Sequence, residues 1–257
     1  MIRGTVALIG SGELSGTMVE THKMLLSRND SGEKALFLDT PAGFQENIDL
    51  LAARAVQYFE RQVGYSMKVA SYKSAETITN EDAERVYRLL GKAGYVLIGP
   101  GSPTYTVRQL KDSPVPALLS AMVTRGGCLV AASAAALSVG SHTLPVYEIY
   151  KVGEPLHWVE GLNILGQLNL DLVVIPHWNN AEGGNHDTRF CYMGEKRFRA
   201  LEVQLPSGST ILGLDEHTVC ILDFSSRMAT VEGLGQMTIR RNGQEQYYAR
   251  GDSISFC

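Results

Sequence analysis

Several features that would point to other classes of protein are scarce or missing in this sequence. It holds four cysteines among 257 residues and no CxxC pair, so the spacing predicts neither a zinc site nor a disulfide framework. No basic run is interleaved with aromatics, and the formal net charge is −4, which argues against a nucleic-acid partner. No apolar run is long enough to cross a bilayer. We therefore expect a cytoplasmic protein with reduced thiols, no cofactor, and neither nucleic acid nor membrane as a partner.

The chain instead alternates short apolar runs with amphipathic segments. Its hydrophobic content of 44% is enough for a chain of this length to bury a full core. Strands are predicted at 6–9, 35–38, 67–70, 95–98, 128–131 and 172–175. Helices are predicted at 45–64, from an apolar stripe at three- and four-residue steps, and at 79–90, from capping-box spacing at its start. This alternation favours a three-layer α/β sandwich with a mostly parallel central sheet.

The C-terminal part has a different pattern. Short strand-like runs occur at 211–213, 218–222, 230–231 and 237–240, and they are followed by an Asn242-Gly243 hairpin signal. We interpret them as an antiparallel extension of the same sheet. Because no linker longer than an ordinary loop interrupts the chain, residues 1–257 are expected to form one domain.

The most informative stretch is Cys128-Leu129-Val130-Ala131-Ala132-Ser133-Ala134-Ala135-Ala136-Leu137. An apolar strand runs into a Ser that small helix-forming residues follow, as in a nucleophile elbow, where a serine hydroxyl projects from a sharp strand-to-helix turn. The usual pattern is Gly-x-Ser-x-Gly, whereas this chain has Ala131 and Ala135 at the two glycine positions. Alanine keeps the turn compact but removes glycine's backbone freedom. A buried strand entering an Ala-rich core helix is the alternative interpretation.

Ligands of open α/β sheets bind beyond the carboxyl ends of the strands. Gly10-Ser11-Gly12 follows the first predicted strand, but Ser15 replaces the third glycine of a dinucleotide fingerprint, so we interpret this segment as a tight turn. The Gly99-Pro100-Gly101 turn follows the fourth strand. It could present the Gly101 N–H as an oxyanion donor beside the N–H of Ala134.

These motifs, in this order, resemble peptidase family S51, which includes dipeptidase E and cyanophycinase. Two later segments extend the resemblance: Pro176-His177-Trp178-Asn179-Asn180-Ala181 is similar to the family's catalytic-histidine segment, and Gly213-Leu214-Asp215-Glu216-His217-Thr218 to its Gly-x-Asp-Glu-x-Thr turn. The resemblance implies a class I glutamine amidotransferase-like (flavodoxin-like) fold and Ser-His chemistry. Pro100-Gly101-Ser102-Pro103 departs from the family's Gly-Gly-Asn-Thr type of turn, so the substrate stays open.

A catalytic serine needs a base within hydrogen-bonding reach. His177 follows the last predicted core strand, so we expect it to act as base on Ser133. For the third member we favour Glu148, because the resemblance implies an acid between the serine and the histidine. Asp187, which follows the histidine loop, is the rival carboxylate.

Further residues are expected to bind substrate or support the site. Arg189 could grip a substrate carboxylate, although a solvated helix face is the alternative. Glu216 is expected to support the site by hydrogen bonding. The other candidates are polar side chains next to the Gly101 turn and the His177 loop, namely Ser102, Thr104, Asn179, Asn180 and Asp187.

Three functions remain open from the sequence. We favour a serine hydrolase of the S51 type that cleaves a short peptide or an isopeptide-like amide through an acyl-enzyme. Loss of both elbow glycines suggests a catalytically silent small-molecule-binding protein as an alternative. Glutamine amidotransfer is disfavoured because the elbow carries Ser133 and the nearest cysteine, Cys128, lies five residues earlier inside the predicted strand. The sequence leaves the substrate open among an Asp-X dipeptide, a β-linked Asp substrate and another amide. It also leaves open whether the protein is a homodimer.

Overall fold

The computed structural model describes residues 1–28 and 34–256. The strands within these residues are β1 (Thr5–Ile9), β2 (Lys34–Leu38), β3 (Met67–Ala70), β4 (Ala93–Ile98), β5 (Cys128–Ala132), β6 (His142–Thr143), β7 (Val159–Glu160), β8 (Val173–Ile175), β9 (Ile211–Leu214), β10 (Thr218–Asp223), β11 (Met228–Gly233), β12 (Met237–Arg241), β13 (Gln244–Tyr248) and β14 (Ser253–Ser255). The α-helices are α1 (Val19–Ser27), α2 (Ile48–Tyr58), α3 (Asn80–Gly91), α4 (Pro103–Leu110), α5 (Val115–Thr124), α6 (Ala134–Ser138), α7 (Ile164–Gln167) and α8 (Gly194–Glu202). Short 3-10 turns lie at Gly16–Met18 and Thr40–Ala42, and π-helical turns at Phe59–Val63 and Glu148–Val152.

An eight-stranded central sheet organises the molecule. Its order is β14-β11-β10-β1-β5-β4-β2-β3. The strands from β1 to β3 in this order are parallel to their neighbours, whereas β10, β11 and β14 join antiparallel. The predicted α/β architecture with a mostly parallel central sheet is therefore confirmed.

Helices cover both faces of this sheet because the buried strands are apolar on both sides. On β4, Tyr95 and Leu97 face one core cluster with α1 and α2, while Val96 and Ile98 face the other with α3 and α5. The predicted strands and both predicted helices are present with shifts of a few residues at their ends. The segment predicted at 45–64 ends as a π-helical turn before Gly64, which adopts a left-handed conformation.

The predicted start of α3 is confirmed in detail. Thr79 is its N-cap, and its side chain accepts a hydrogen bond from the Asp82 backbone N–H at 3.1 Å. The Thr79 hydroxyl also donates to the Asp82 carboxylate at 2.8 Å. These contacts satisfy a backbone donor that a helix start otherwise leaves free.

One topological prediction was wrong. The C-terminal strands do not all extend the central sheet, and β8 is not part of it: β13, β12, β9 and β8 form a separate four-stranded sheet in that order. In the central sheet β1 pairs with β5 on one side and with the antiparallel β10 on the other, so β10 and not β8 continues the sheet beyond β1. The predicted Asn242-Gly243 hairpin is confirmed as the turn between β12 and β13, with positive φ at both residues.

None of the helices in residues 1–28 and 34–256 combines the length and apolar character that crossing a membrane requires.

Candidate active site

Ser133 occupies the turn between β5 and α6. Its backbone has φ 51° and ψ −114°, a conformation that a non-glycine residue adopts at a cost and that is typical of functional turns. The turn is fixed on both sides, since the Ser133 N–H donates to the Ile9 carbonyl at 3.0 Å and the Ser133 carbonyl accepts from the Leu137 N–H at 3.1 Å. The strand-to-helix elbow predicted from the sequence is present.

The two alanines at the elbow do not disturb this geometry. The positive φ falls on Ser133, and neither Ala131 nor Ala135 has a positive φ. Both alanines are buried, so these positions need a small side chain rather than glycine's backbone freedom. The sequence feature that suggested a silent protein therefore does not distort the elbow.

His177 reaches Ser133 from the second sheet. It follows β8, and its Nε2 lies 2.9 Å from Ser133 Oγ. The histidine backbone also has a positive φ, 50°. Backbone hydrogen bonds anchor the loop, because the Trp178 N–H donates to the Leu214 carbonyl at 2.9 Å and the Cys191 N–H donates to the His177 carbonyl at 3.1 Å. These backbone hydrogen bonds hold the loop that places the imidazole against the elbow.

The carboxylate on the other side of the imidazole belongs to Glu216. Its Oε1 lies 2.8 Å from His177 Nδ1 and accepts a hydrogen bond from Asn180 Nδ2 at 3.1 Å. Asn179 fixes the same turn, since its Oδ1 accepts from the Glu216 backbone N–H at 2.8 Å. Asn179 and Asn180, which the sequence suggests as substrate-binding or supporting residues, therefore hold Glu216 in position.

The electrostatic surroundings keep Glu216 ionised. Partial burial pushes its pKa upward, but hydrogen bonds from His177 and Asn180, with the charges of His177 and His217, outweigh burial and hold the pKa below its ordinary value. An ionised carboxylate on Nδ1 keeps the imidazole proton at that nitrogen. Nε2 is then free to accept the proton of the Ser133 hydroxyl.

The structure places the two carboxylates favoured from the sequence elsewhere. Glu148 accepts a hydrogen bond from the Thr104 hydroxyl at 2.5 Å, and Asp187 forms an ion pair with Arg189 at 2.9 Å. Neither is the carboxylate on His177, so the expectation that Glu148, or Asp187 as its rival, lies on the imidazole was wrong. The physical reason is that the β9–β10 turn passes from the second sheet to the central sheet beside the histidine loop and places Glu216 on the imidazole.

The guanidinium of Arg189 contacts residues outside the Ser133–His177 site. Besides Asp187, its guanidinium lies 3.7 Å from the Glu195 carboxylate and 5.1 Å from the centre of the Phe190 ring. These contacts hold the start of α8 and do not direct the guanidinium toward Ser133. The expectation that Arg189 grips a substrate carboxylate gains no support from this arrangement.

The Gly101 turn lies at the same edge of the central sheet. Gly101 has a φ of 152°, and a Cβ there would lie 2.0 Å from the Pro41 carbonyl oxygen, so no other residue fits. Ser102 caps α4, with its Oγ accepting from the Tyr105 N–H at 3.2 Å and lying 3.0 Å from Thr104 Oγ1. Ala134 is the first residue of α6, where backbone N–H groups have no partner within the helix.

The Gly10-Ser11-Gly12 segment has a structural role that the sequence did not reveal. A Cβ on Gly10 would lie 2.0 Å from the Asp215 carbonyl oxygen, and the Gly10 N–H donates to the Thr218 carbonyl at 2.9 Å. Glycine therefore allows the turn that carries Glu216 to pack directly on the end of β1, next to the nucleophile strand.

Glu13, in the same loop, was not predicted as a site residue. It is 6% exposed, and burial raises the pKa of its carboxyl, although His177 and His217 are near enough for their charges to oppose that rise. A buried carboxyl in a polar loop gives no signal of its own in a sequence, because only the fold places it beside the histidine.

The described residues contain no group of three or more His, Cys, Asp or Glu side chains that could hold a metal ion. Cys128, Cys191 and Cys220 are free and buried, and Cys257 lies outside the described residues. Burial raises the pKa of each of the three described thiols to about 12.

The fold and the Ser133–His177 contact define an α/β protein with a nucleophile elbow. Two solved structures share this fold. The chain is similar over 99% of its length to a peptidase from an acI-B1 Actinobacterium, covering 98% of that chain, with 25% identity and a TM-score of 0.81. A protein from Listeria monocytogenes EGD-e, provisionally assigned as a peptidase E, shares the fold at 15% identity and a TM-score of 0.59, over 91% of this chain and 100% of that one.

The fold that the chain shares with these structures agrees with the resemblance to the S51 peptidases that the sequence motifs predict. No family model matches the chain, and no curated protein matches it significantly in sequence. The resemblance is therefore carried by structure and by short ordered motifs.

Proposed function

We propose that this protein is a serine peptidase that cleaves a short peptide or an isopeptide-like amide through an acyl-enzyme. The observation that carries the proposal is the continuous hydrogen-bonded chain from Ser133 Oγ to His177 Nε2, 2.9 Å, and from His177 Nδ1 to Glu216 Oε1, 2.8 Å. A serine hydroxyl becomes a nucleophile when a base takes its proton and a carboxylate orients that base.

In the proposed reaction, Ser133 Oγ attacks the amide carbonyl carbon while its proton passes to His177 Nε2. The imidazolium then donates this proton to the departing amine nitrogen, and the C–N bond breaks to leave an ester on Ser133. A water molecule then gives a proton to His177 and attacks the ester carbonyl carbon. The bond between that carbon and Ser133 Oγ breaks, the acid leaves, and the imidazolium returns the proton to Ser133 Oγ. Glu216 stabilises the imidazolium in both halves of the reaction.

The negative charge that develops on the carbonyl oxygen needs donors. We assign this role to the backbone N–H groups of Ala134 and Gly101, which the sequence also suggests. The assignment of Ala134 is supported by its position as the first residue of α6. The assignment of Gly101 is supported by its place in the turn before α4, where its backbone conformation and the lack of space for a Cβ require glycine. Removal of a single oxyanion donor in serine hydrolases lowers kcat about 10²–10³-fold.

Two measurements on the wild type and Ser133→Ala test this function. A fluorophosphonate should transfer its phosphonyl group to Ser133 Oγ with release of fluoride, and intact mass should show one adduct in the wild type and none in Ser133→Ala. A library of dipeptides and isoaspartyl dipeptides, analysed by mass spectrometry, should then identify substrates whose cleavage Ser133→Ala abolishes. Ser226→Ala is the control, because Ser226 is an exposed serine in the turn between β10 and β11.

Two outcomes would contradict the proposal. If the wild type forms no adduct, Ser133 is not an activated nucleophile. If Ser133→Ala cleaves the library as fast as the wild type, the hydrolysis comes from another site or a contaminant.

A further inference from the structure

Three consecutive residues in the loop between β8 and α8 adopt the left-handed backbone conformation. Phe190, Cys191 and Tyr192 have φ values of 57°, 54° and 69°. Residues with a Cβ take this conformation at a cost, and such positions persist where the surrounding structure enforces them, above all at active sites and ligand-binding positions. The Cys191 N–H donates to the His177 carbonyl at 3.1 Å, so the strained run is fastened to the proposed catalytic histidine.

Tyr192 differs from the other two residues of this run in its surroundings. Phe190 and Cys191 are each 3% exposed and pack in the core cluster of the second sheet. Tyr192 is partly exposed, and its ring packs on the His177 imidazole with 6.2 Å between ring centres and 46° between ring planes. The left-handed run thus buries two side chains and places a partly exposed aromatic ring against His177.

Two more rings extend this surface away from His177. The ring centre of Tyr150 lies 5.2 Å from that of Tyr192, and the ring of His186 stacks on Tyr150 at 6.2 Å and 22°. We call the rings of Tyr192, Tyr150 and His186 the aromatic wall. The Tyr192 hydroxyl donates to Glu182 at 2.7 Å, and the Tyr150 hydroxyl lies 3.3 Å from His186 Nε2. Because the hydroxyl groups already have partners, the wall offers mainly apolar ring surface to a ligand.

The aromatic wall borders the side of the site from which the leaving residue of a substrate departs. In the proposed reaction, His177 Nε2 gives its proton to the amine nitrogen of that residue, so this nitrogen must come within about 3 Å of the imidazole. The Cα of the leaving residue is bonded to the same nitrogen. Its side chain therefore lies within reach of the Tyr192 ring, which packs on the same imidazole.

Charges beside the aromatic wall indicate which side chain suits it. Lys151 Nζ lies 4.9 Å from the centre of the Tyr150 ring, and the Glu182 carboxylate lies at the Tyr192 hydroxyl. A basic or an acidic side chain would therefore meet a group of its own charge as well as one of the opposite charge. Partial burial and the Glu182 contact raise the pKa of Tyr192 above its ordinary value, so this ring stays neutral. An uncharged aromatic side chain fits the wall, because aromatic rings attract each other in offset and edge-to-face contacts.

We propose that the aromatic wall is a subsite for an aromatic side chain on the leaving residue of the substrate, with Tyr192 as the specificity-determining residue. The inference rests on the peptidase function proposed above. It narrows the substrates to peptides in which the nitrogen of the cleaved amide belongs to phenylalanine, tyrosine or tryptophan. The left-handed run at 190–192 then has a function, since it holds the ring that the leaving residue meets.

The test uses dipeptides that share one acyl residue and differ in the leaving residue. In the wild type, kcat/KM with phenylalanine as the leaving residue should exceed kcat/KM with alanine, lysine or aspartate at least about 10-fold, the scale set by burial of an aromatic side chain and its ring contacts. The ratio of kcat/KM for phenylalanine to that for alanine is called the aromatic preference below.

Variants of the wall show whether Tyr192 sets this preference. Tyr192→Asn should lower the aromatic preference at least about 5-fold, mainly through the KM of the phenylalanine substrate, because the ring contact is lost. Asparagine tolerates a positive φ, so this variant adds no backbone strain. Tyr150→Ala, outside the strained run, should lower the preference in the same direction, whereas Tyr192→Phe should keep it within about 2-fold because the ring remains. Tyr247→Ala, at an exposed tyrosine of β13, is the control and should behave as the wild type.

Fluorophosphonate labelling of Ser133 separates this inference from the proposed function, because the group that leaves the probe is fluoride and not an amino acid. A labelled wild type without aromatic preference, or one that cleaves none of the aromatic members, would overturn the subsite alone. An unchanged preference in both Tyr192→Asn and Tyr150→Ala would overturn the role of the wall, and equal losses on both substrates would assign Tyr192 to holding His177 instead. Absence of labelling in the wild type would overturn the peptidase function and, with it, this inference.

Discussion

At the scale of single residues, the backbone of Ser133 and the side chain of Glu216 both determine how His177 meets the serine hydroxyl. Ser133 takes an unfavourable φ so that its hydroxyl meets His177, and Glu216 fixes the tautomer of that histidine through a 2.8 Å contact. The two asparagines after the histidine hold Glu216 from its backbone and its side chain. Each group is therefore oriented by at least one other group.

Glu216→Gln should lower kcat about 10³–10⁴-fold, because an amide facing Nδ1 favours the wrong tautomer and cannot stabilise an imidazolium. Steady-state kinetics on a substrate from the dipeptide library measures the effect, and the rate of fluorophosphonate labelling should fall in parallel. Glu20→Gln, at an exposed acid of α1, controls for loss of a charge. A decrease of less than 10-fold would show that another carboxylate supports His177.

At the scale of secondary-structure elements, α8 is fastened to the β12–β13 hairpin by a buried ion pair. Glu202, at the end of α8, accepts from Arg240 Nη2 at 2.7 Å and from the Gly243 N–H at 3.0 Å. Arg240 is 4% exposed and also contacts Glu245 at 2.7 Å. The ion pairs of Arg240 thus join α8, the helix that follows the histidine loop, to the sheet that contains β8.

Glu202→Gln should reduce the free energy of unfolding by about 3 kcal/mol, because it leaves a buried guanidinium short of charge compensation. Burial pushes the pKa of Glu202 upward, but hydrogen bonds from Arg240 and Gly243 and the charge of Arg240 hold it below the ordinary 4.5. The stabilisation is then complete above pH 4.5 and is lost as the pH falls through the lowered pKa.

Urea unfolding of the wild type and Glu202→Gln at a series of pH values checks both statements. The difference between the two proteins should be largest at neutral pH and should shrink in acid. Lys23→Gln, which breaks an exposed i,i+3 pair with Glu20, should change stability by less than about 0.5 kcal/mol. A difference for Glu202→Gln that does not depend on pH would contradict the assignment.

The whole molecule is held together by a core that both sheets share. One cluster of buried apolar residues includes Val96 and Leu129 of the central sheet together with Val174 and Leu212 of the second sheet. Because this cluster crosses between the sheets, we expect residues 1–257 to unfold as one cooperative domain.

Alkylation of the three buried cysteine thiols can measure whether the two sheets unfold together. Cys128 and Cys220 lie in the central sheet and Cys191 lies behind His177, and burial raises the pKa of each thiol to about 12. Since the thiolate is the reactive form, iodoacetamide should leave all three unmodified in the native protein. Pulse alkylation across a urea series, analysed by peptide mass spectrometry, should give them one common midpoint. Earlier modification of Cys191 would show that the loop between β8 and α8, in which it lies, opens separately.

Local patterns in the sequence determine much of this protein. The apolar runs predict β1 to β5 and β8 within one or two residues, the Thr79 cap predicts the start of α3, and the run into Ser133 predicts the elbow. Each of these features depends on neighbours a few residues away, and backbone propensity and side-chain periodicity act at that range. The order of the motifs likewise predicts the resemblance to the S51 peptidases.

Tertiary structure alone decided which carboxylate meets His177 and which sheet contains β8. Glu216 is 39 residues from its histidine and reaches it because the β9–β10 turn passes between two sheets and packs on Gly10. Glu148 lies between the serine and the histidine in sequence, yet Thr104 engages it instead. Contacts of this range depend on which strands pair: β10 pairs with β1 in the central sheet, and β8 pairs with β9 in the second sheet. Patterns over a few neighbouring residues do not predict these pairings, because strands far apart in the sequence form them only in the folded molecule.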